Sequence, residues 1–263
     1  MTLKIPKTIH GIDGKKAYER IVNGIPEEQT VIVQPVQNPI MNSNDNFWTI
    51  NDVQYRNQIY KVDLLKTLLD EGNSKTQDEW IEYSINAKKN NDFFCADMPL
   101  QYAIFKALYN SPDNGEKEQA RQFIQKSMRE TWLSSLSRIF YSPSGNDKII
   151  HNYKIPNEEY ETSNLVVGKD RELEVSDKNV LEALVLTKDV DEVKKVLNWI
   201  NETPVWIWRL NNKPKNVDER VARFSAYDVR AVLNCVGSPS YQDSSLGVRA
   251  VGTGNSKLAG GVK

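Results

Sequence analysis

Cysteine and histidine are almost missing from this chain, which holds two of each, Cys95 and Cys235, His10 and His151, among 263 residues. The cysteines lie far apart with no CxxC spacing and no histidine near them, which argues against a disulfide framework or a zinc site as the organising element. Long apolar runs are also lacking. Nothing approaches membrane-spanning length, and Met1 to Lys7 has no apolar core for a signal peptide, so the expectation is a protein made in a cytoplasm without membrane insertion. Neither charge sign dominates: the formal net charge is -1, which supplies no electrostatic reason to bind nucleic acid or an anionic membrane. What is present is a globular composition, 39% apolar and 26% charged, on a chain long enough for a substantial core.

One absence is local. From Phe224 to Ser256 there is no Lys and no Glu, although charged residues are common elsewhere. The segment mixes Ser, Tyr, Asp, Gly and Val with apolar residues, the chemistry of a paratope, where tyrosine gives large rigid contacts and small residues adapt.

The N-terminal sixty residues carry repeated breakers (Pro6, Gly11, Gly14, Gly24, Pro26, Pro35, Pro39) around a β-branched run, Thr30 to Val33, that reads as a strand. Phe47 to Tyr60 suits a strand or hairpin. Val62, Leu65, Leu68 and Leu69 fall on one helical face with Gly72 as a stop. Thr76 with Glu79 forms a capping box before Trp80, Ile81 and Ile85. Asp97 and Pro99 open a further helix ending near Ser111, and a longer one spans about Glu116 to Trp132. Strands return at 138–141 and 148–152, joined as a hairpin, and again at Asn164 to Gly168. Ser176 and Asp189 each read as a helix cap. Pro204 to Arg209 is a strong strand signal, and Trp206 and Trp208 share a parity expected to face the core. Residues 252–263 read as a flexible tail.

In 224–236 two sets of residues alternate. Phe224, Ala226, Ala231, Leu233 and Cys235 would build core, while Ser225, Tyr227, Val232, Asn234 and Val236 would point to the opposite face. A half-buried antiparallel strand pair accounts for that pattern by itself. The residue types suggest something more. An asparagine codon ending in a pyrimidine, altered only at its adenines, can yield Asn, Ser, Tyr, Asp, Val, Gly or Arg, but never Lys, Glu, Gln, Met or Trp. The segment obeys this rule except at Gln242.

With Arg220 to Phe224 at one end and Leu246-Gly-Val-Arg249 at the other, the segment resembles the variable region of proteins diversified by diversity-generating retroelements. Trp206 to Arg209 resembles the strand preceding that region in archaeal members, including those of archaeal viruses. The resemblance covers about residues 204–251. It implies an α+β protein with a C-type lectin fold, of the subtype related to formylglycine-generating enzymes, in the C-terminal half. A preceding or inserted helical block would lie at about 62–135, so that 1–135, 136–251 and 252–263 would form the N-terminal part, lectin core and tail. Carried over position by position, the scaffold is Arg223, Phe224, Ala226, Ala231, Leu233, Cys235, Pro239 and Leu246 to Arg249. The variable, ligand-facing positions are Ser225, Tyr227, Asp228, Val229, Arg230, Val232, Asn234, Val236, Gly237, Ser238, Ser240, Tyr241, Asp243 and Ser244. The implied ligand is a macromolecule, a protein or a surface glycan, and the implied setting is a virion surface used for host attachment, or a host protein diversified by the same element.

Two other functions compete. A formylglycine-generating type of oxidase would need two cysteines close together in the C-terminal region, where Cys235 stands alone and alternates with Leu233 as a buried thiol would. His10 and His151 lie in unrelated contexts and read as solvent-facing or locally bonded. The other candidate is a structural assembly protein whose C-terminal face is an interface. Isolated Asp228 and Asp243 do not make a calcium site, so no metal and no cofactor is expected.

Overall fold

The computed structural model describes residues 8–9, 12–13, 41–163 and 166–252. The chain divides into two compact units, residues 1–37 and 38–263. In the first, β1 (Thr8–Ile9) pairs antiparallel with β2 (Ile12–Asp13). Thr30 to Val33 and His10 lie outside the described residues, as do 253–263 of the expected tail.

The second unit is a mixed α+β structure. Its first strands are β3 (Met41–Ser43), β4 (Phe47–Tyr55) and β5 (Gln58–Leu68). Then come α1 (Gln77–Lys89), β6 (Phe94–Cys95), α2 (Met98–Asn110) and α3 (Gly115–Glu130). Strands β7 (Arg138–Tyr141), β8 (Lys148–His151), β9 (Tyr160–Ser163) and β10 (Arg171–Glu172) precede α4 (Lys178–Val185) and α5 (Val190–Asn201). The last described strands are β11 (Val205–Trp208), β12 (Asp218–Tyr227), β13 (Arg230–Gly237) and β14 (Leu246–Gly252). One sheet has the order β3-β4-β5-β14-β6 and the other β10-β11-β13-β12-β7-β8-β9.

Side-chain caps fix where four of the helices begin. The Glu79 amide donates to the Thr76 hydroxyl and the Glu79 carboxylate accepts from the Thr76 amide, the capping box expected from the sequence. Asp97 accepts from the Leu100 amide at 2.9 Å, with Pro99 in the first turn of α2. Asn114 and Asp189 do the same for α3 and α5. Each bond satisfies an amide that the first turn leaves unpaired. Helix α2 is buried on almost every side, with Met98, Ile104, Phe105 and Leu108 fully enclosed. Phe105 meets Phe224 of β12 edge-on at 5.1 Å.

Several sequence expectations need correction. The helix read at Val62 to Leu69 is the second half of β5, followed by a short 3-10 turn. Pairing with β4 on one side and β14 on the other satisfies its backbone, and this tertiary pairing overrides the helical spacing of the leucines. Of the strand read at Asn164 to Gly168, residues 166–168 are irregular, and β9 lies just before them. Asp177, not Ser176, immediately precedes α4. The boundary expected between 135 and 136 is absent, because β14 inserts between β5 and β6 while β12 bridges to Leu133 through reciprocal backbone bonds with Phe224. The C-terminal segment therefore shares one core with residues far upstream. Among the described residues, no helix is long and apolar enough to cross a membrane.

Candidate functional site

The segment singled out by its composition forms the hairpin β12–β13, a loop over 238–245, and β14. Register fixes the two faces of the hairpin. Phe224 pairs with Leu233, Ala226 with Ala231, and the parallel neighbour β11 sets Val205 beside Ala231 and Ile207 beside Leu233. These side chains are buried in the main core, with α2, α3 and α5 packed against the same strands. The alternation expected for the core set is therefore present.

The opposite face carries Arg223, Ser225 and Tyr227 from β12, Arg230, Val232 and Asn234 from β13, and Trp206 and Trp208 from β11. Both tryptophans are half-buried here. Their shared parity was legible, but the expectation that they face the core is corrected, because Val205 and Ile207 take the inner positions of that strand.

Large side chains cover this face. The Arg230 guanidinium lies 5.2 Å from the Trp206 ring, 5.3 Å from Trp208 and 5.8 Å from Tyr227. Tyr227 meets Trp208 at 5.3 Å and Trp132 at 6.5 Å. Arg223 lies 4.8 Å from Trp132 and 6.0 Å from Tyr241. Rings and guanidinium groups thus run in an unbroken series from Tyr241 to Trp206. Trp132, which follows α3 with a left-handed backbone (φ 49°), carried no functional signal in the sequence.

The fourteen positions expected to face a ligand divide by exposure. Asp228, Val229, Ser240 and Tyr241 are exposed, Val229 at 69% and Tyr241 at 58%. Tyr227, Arg230, Val236 and Ser238 are half-buried. Ser225, Val232, Asn234, Gly237, Asp243 and Ser244 are buried, which corrects their assignment as ligand-facing. The physical reason is size. Small residues on the outer face lie beneath their longer neighbours, so pointing away from the core does not suffice for contact with solvent. Gly237 lies against the Arg223 side chain. Ser244 is within 3.2 Å of the Ser74 hydroxyl. Asp243 forms a buried ion pair with Arg223. Burial raises the Asp243 carboxyl above its ordinary range, with Arg223 acting in the opposite direction, and burial also lowers the Arg223 guanidinium.

Main-chain bonds hold the 238–245 loop. The Gln77 amide donates to the Pro239 carbonyl at 3.2 Å, and Lys75 and Asp243 exchange amide-to-carbonyl bonds of 3.1 and 3.0 Å. The Trp80 indole also donates to the Asp243 carbonyl at 2.8 Å. Only the tip, Ser240 to Gln242, is exposed.

The competing chemical groups are enclosed. Burial pushes the Cys95 and Cys235 thiols up to about 12, so neither is a thiolate at neutral pH. His151 is buried, with Nδ1 at 2.8 Å from the Ser137 hydroxyl and Nε2 at 2.8 Å from the Ala183 carbonyl. The carbonyl can only accept, so Nε2 carries the proton and Nδ1 accepts from Ser137. Burial lowers the His151 pKa, against an upward pull from Asp97. A cavity of about 310 Å³ lies elsewhere, lined in part by Tyr55, Tyr60, Lys88, Asn152 and Arg249. Its cations already have partners, Lys88 with Glu158 at 2.6 Å and Arg249 with Asp63 at 2.9 Å. Among the described residues, no group of three or more His, Cys, Asp or Glu side chains is placed to hold a metal ion.

Comparison with protein-family models, curated proteins and solved structures finds no match to this chain.

Proposed function

We propose that this protein is a non-catalytic binder that presents a diversified surface on a C-type lectin scaffold, varied by a retroelement and serving virus–host attachment. The observation that carries the reading is the half-buried cluster of Trp206, Trp208, Tyr227 and Arg230 on the outer face of the hairpin, with exposed Val229 in the adjoining turn. Tyr, Trp and Arg are the residue types that dominate binding energy at protein interfaces, and exposed large apolar side chains beside them mark a contact surface. Pairing of β14 with β5 and β6 supports the reading too, since the resemblance implies a variable region that ends at Leu246 to Arg249 and completes the fold.

The corrected display set is Tyr227, Asp228, Val229, Arg230, Val236, Ser238, Ser240 and Tyr241. The buried members of the longer set belong to the support. An oxidase is disfavoured by the enclosed Cys235 thiol, which lacks a second cysteine in the C-terminal segment.

Sequencing the DNA that flanks the coding region tests the origin of the surface. The expected result is an adenine-rich near-copy of the stretch encoding 220–249 beside a reverse transcriptase gene. A flank without either overturns the retroelement part of the proposal.

A further inference from the structure

We infer that Arg230 is a receptor for a carboxylate, supplied by an Asp or Glu side chain of a protein ligand seated against Trp206, Trp208 and Tyr227. The inference rests on the display reading and specifies the chemistry of its ligand.

Among the described residues, no carboxylate lies within ion-pair distance of the Arg230 guanidinium. The other charged groups near this face are accounted for as follows. Arg223 is committed to Asp243. Glu172, which stands opposite Trp206 in the β10–β11 ladder, is held by Lys194 at 3.3 Å. Asp170 accepts from the Arg209 amide at 2.8 Å. Asp228, in the turn beside Arg230, is exposed and makes no ion pair with it. Arg230 is therefore an uncompensated cation in a face whose other basic group is neutralised.

Its surroundings favour an anion over a neutral sugar. The guanidinium lies within 6 Å of three ring centroids, so the cation already occupies one face of each ring and competes there with a stacked sugar. Arg230 Nε is buried without an acceptor, as are Arg223 Nε and the Ser225 hydroxyl on the same face. A partly dehydrated guanidinium held by aromatic rings is preorganised for a carboxylate, because less water must leave and fewer rotamers must be fixed. Exposed Val229, next to Arg230 in the chain, favours a protein ligand, whose acidic side chain comes with apolar neighbours.

The test uses fluorescein-labelled oligo-glutamate, the same peptide with every Glu replaced by Gln, and labelled oligosialic acid, with binding read by fluorescence anisotropy. The acidic peptide should bind the wild-type protein about tenfold more tightly than its amide counterpart. Arg230→Gln should lose about tenfold in affinity for the acidic peptide and flatten its salt dependence. Arg230→Lys should keep part of the affinity, and Asp228→Asn should strengthen it by removing a like charge. Equal binding of the two peptides by the wild-type protein overturns the inference, and this arm does not depend on any variant folding. No peptide binding, or peptide binding unaffected by Arg230→Gln, also overturns it. Binding of oligosialic acid through Arg230 without peptide binding reassigns the site to an acidic glycan. Failure in any of these arms leaves the display reading to its own test at the DNA level.

Discussion

A β-carbon on Gly237 would stand 2.6 Å from Nε of Arg223, so the glycine leaves open the space that the arginine side chain fills. That side chain cannot swing aside cheaply, because it is buried, paired with Asp243 and stacked on Trp132. Gly237→Ala should therefore destabilise the protein by about 1–3 kcal/mol, the usual cost of overpacking. Urea denaturation checks it, and an unchanged midpoint would refute the packing argument.

The Arg223–Asp243 pair gives a second prediction. Asp243→Asn leaves a buried guanidinium without its counter-charge and should cost about 3–5 kcal/mol. Replacing both residues with leucine should recover part of that loss, since the uncompensated charge is then gone. Thermal melts of the single and double variants decide the point.

Display and support should separate in stability measurements. Combined substitution of Val229, Ser240 and Tyr241 should shift stability by less than about 1 kcal/mol, as expected for exposed positions. Leu233→Ala should cost about 2–5 kcal/mol through the cavity it leaves. If the triple variant melts as early as Leu233→Ala, the division by exposure is wrong.

His151 should make folding sensitive to mild acid. The folded protein holds the ring neutral with a lowered pKa, whereas the unfolded chain protonates it near its ordinary value. Its contribution is present above about pH 6.5 and declines as pH falls toward the folded-state value, at up to about 1.4 kcal/mol per pH unit. Urea midpoints at neutral and mildly acidic pH should differ less for His151→Gln than for the wild type. The shared carboxylates cancel in that comparison, and an identical difference would exclude His151 as the source.

Both thiols should resist modification in the native state. Cys95 and Cys235 should react with iodoacetamide at mildly alkaline pH only after denaturant is added, because burial keeps them protonated. Mass spectrometry reads the result directly.

Sequence legibility followed the range of the forces involved. Thr76, Asp97 and Asp189 announced their helices because a cap acts within one turn. The strand at Val62 to Leu68 was masked by the helical spacing of its leucines, and only one of its two partners, β4, is near in sequence, the other being Leu246 to Gly252. Parity in 224–236 sorted inner from outer side chains because it depends only on pleating. It could not show that Ser225 and Val232 are buried, since that depends on neighbours from other elements, such as Trp206 beside Val232 in the β11–β13 ladder. Gly237 and Asp243 were misassigned for the same reason: each answers to Arg223, and that contact has no local signature.

The ties from Lys75 and Gln77 to Asp243 and Pro239 run between main-chain atoms. Every amino acid brings the same carbonyl, and every one but proline the same amide, so such ties are indifferent to the genetic text between them. At Ser240 to Gln242 mutation is thus released from the duty of keeping the loop in place. The tip can be rewritten while its address on the molecule stays the same.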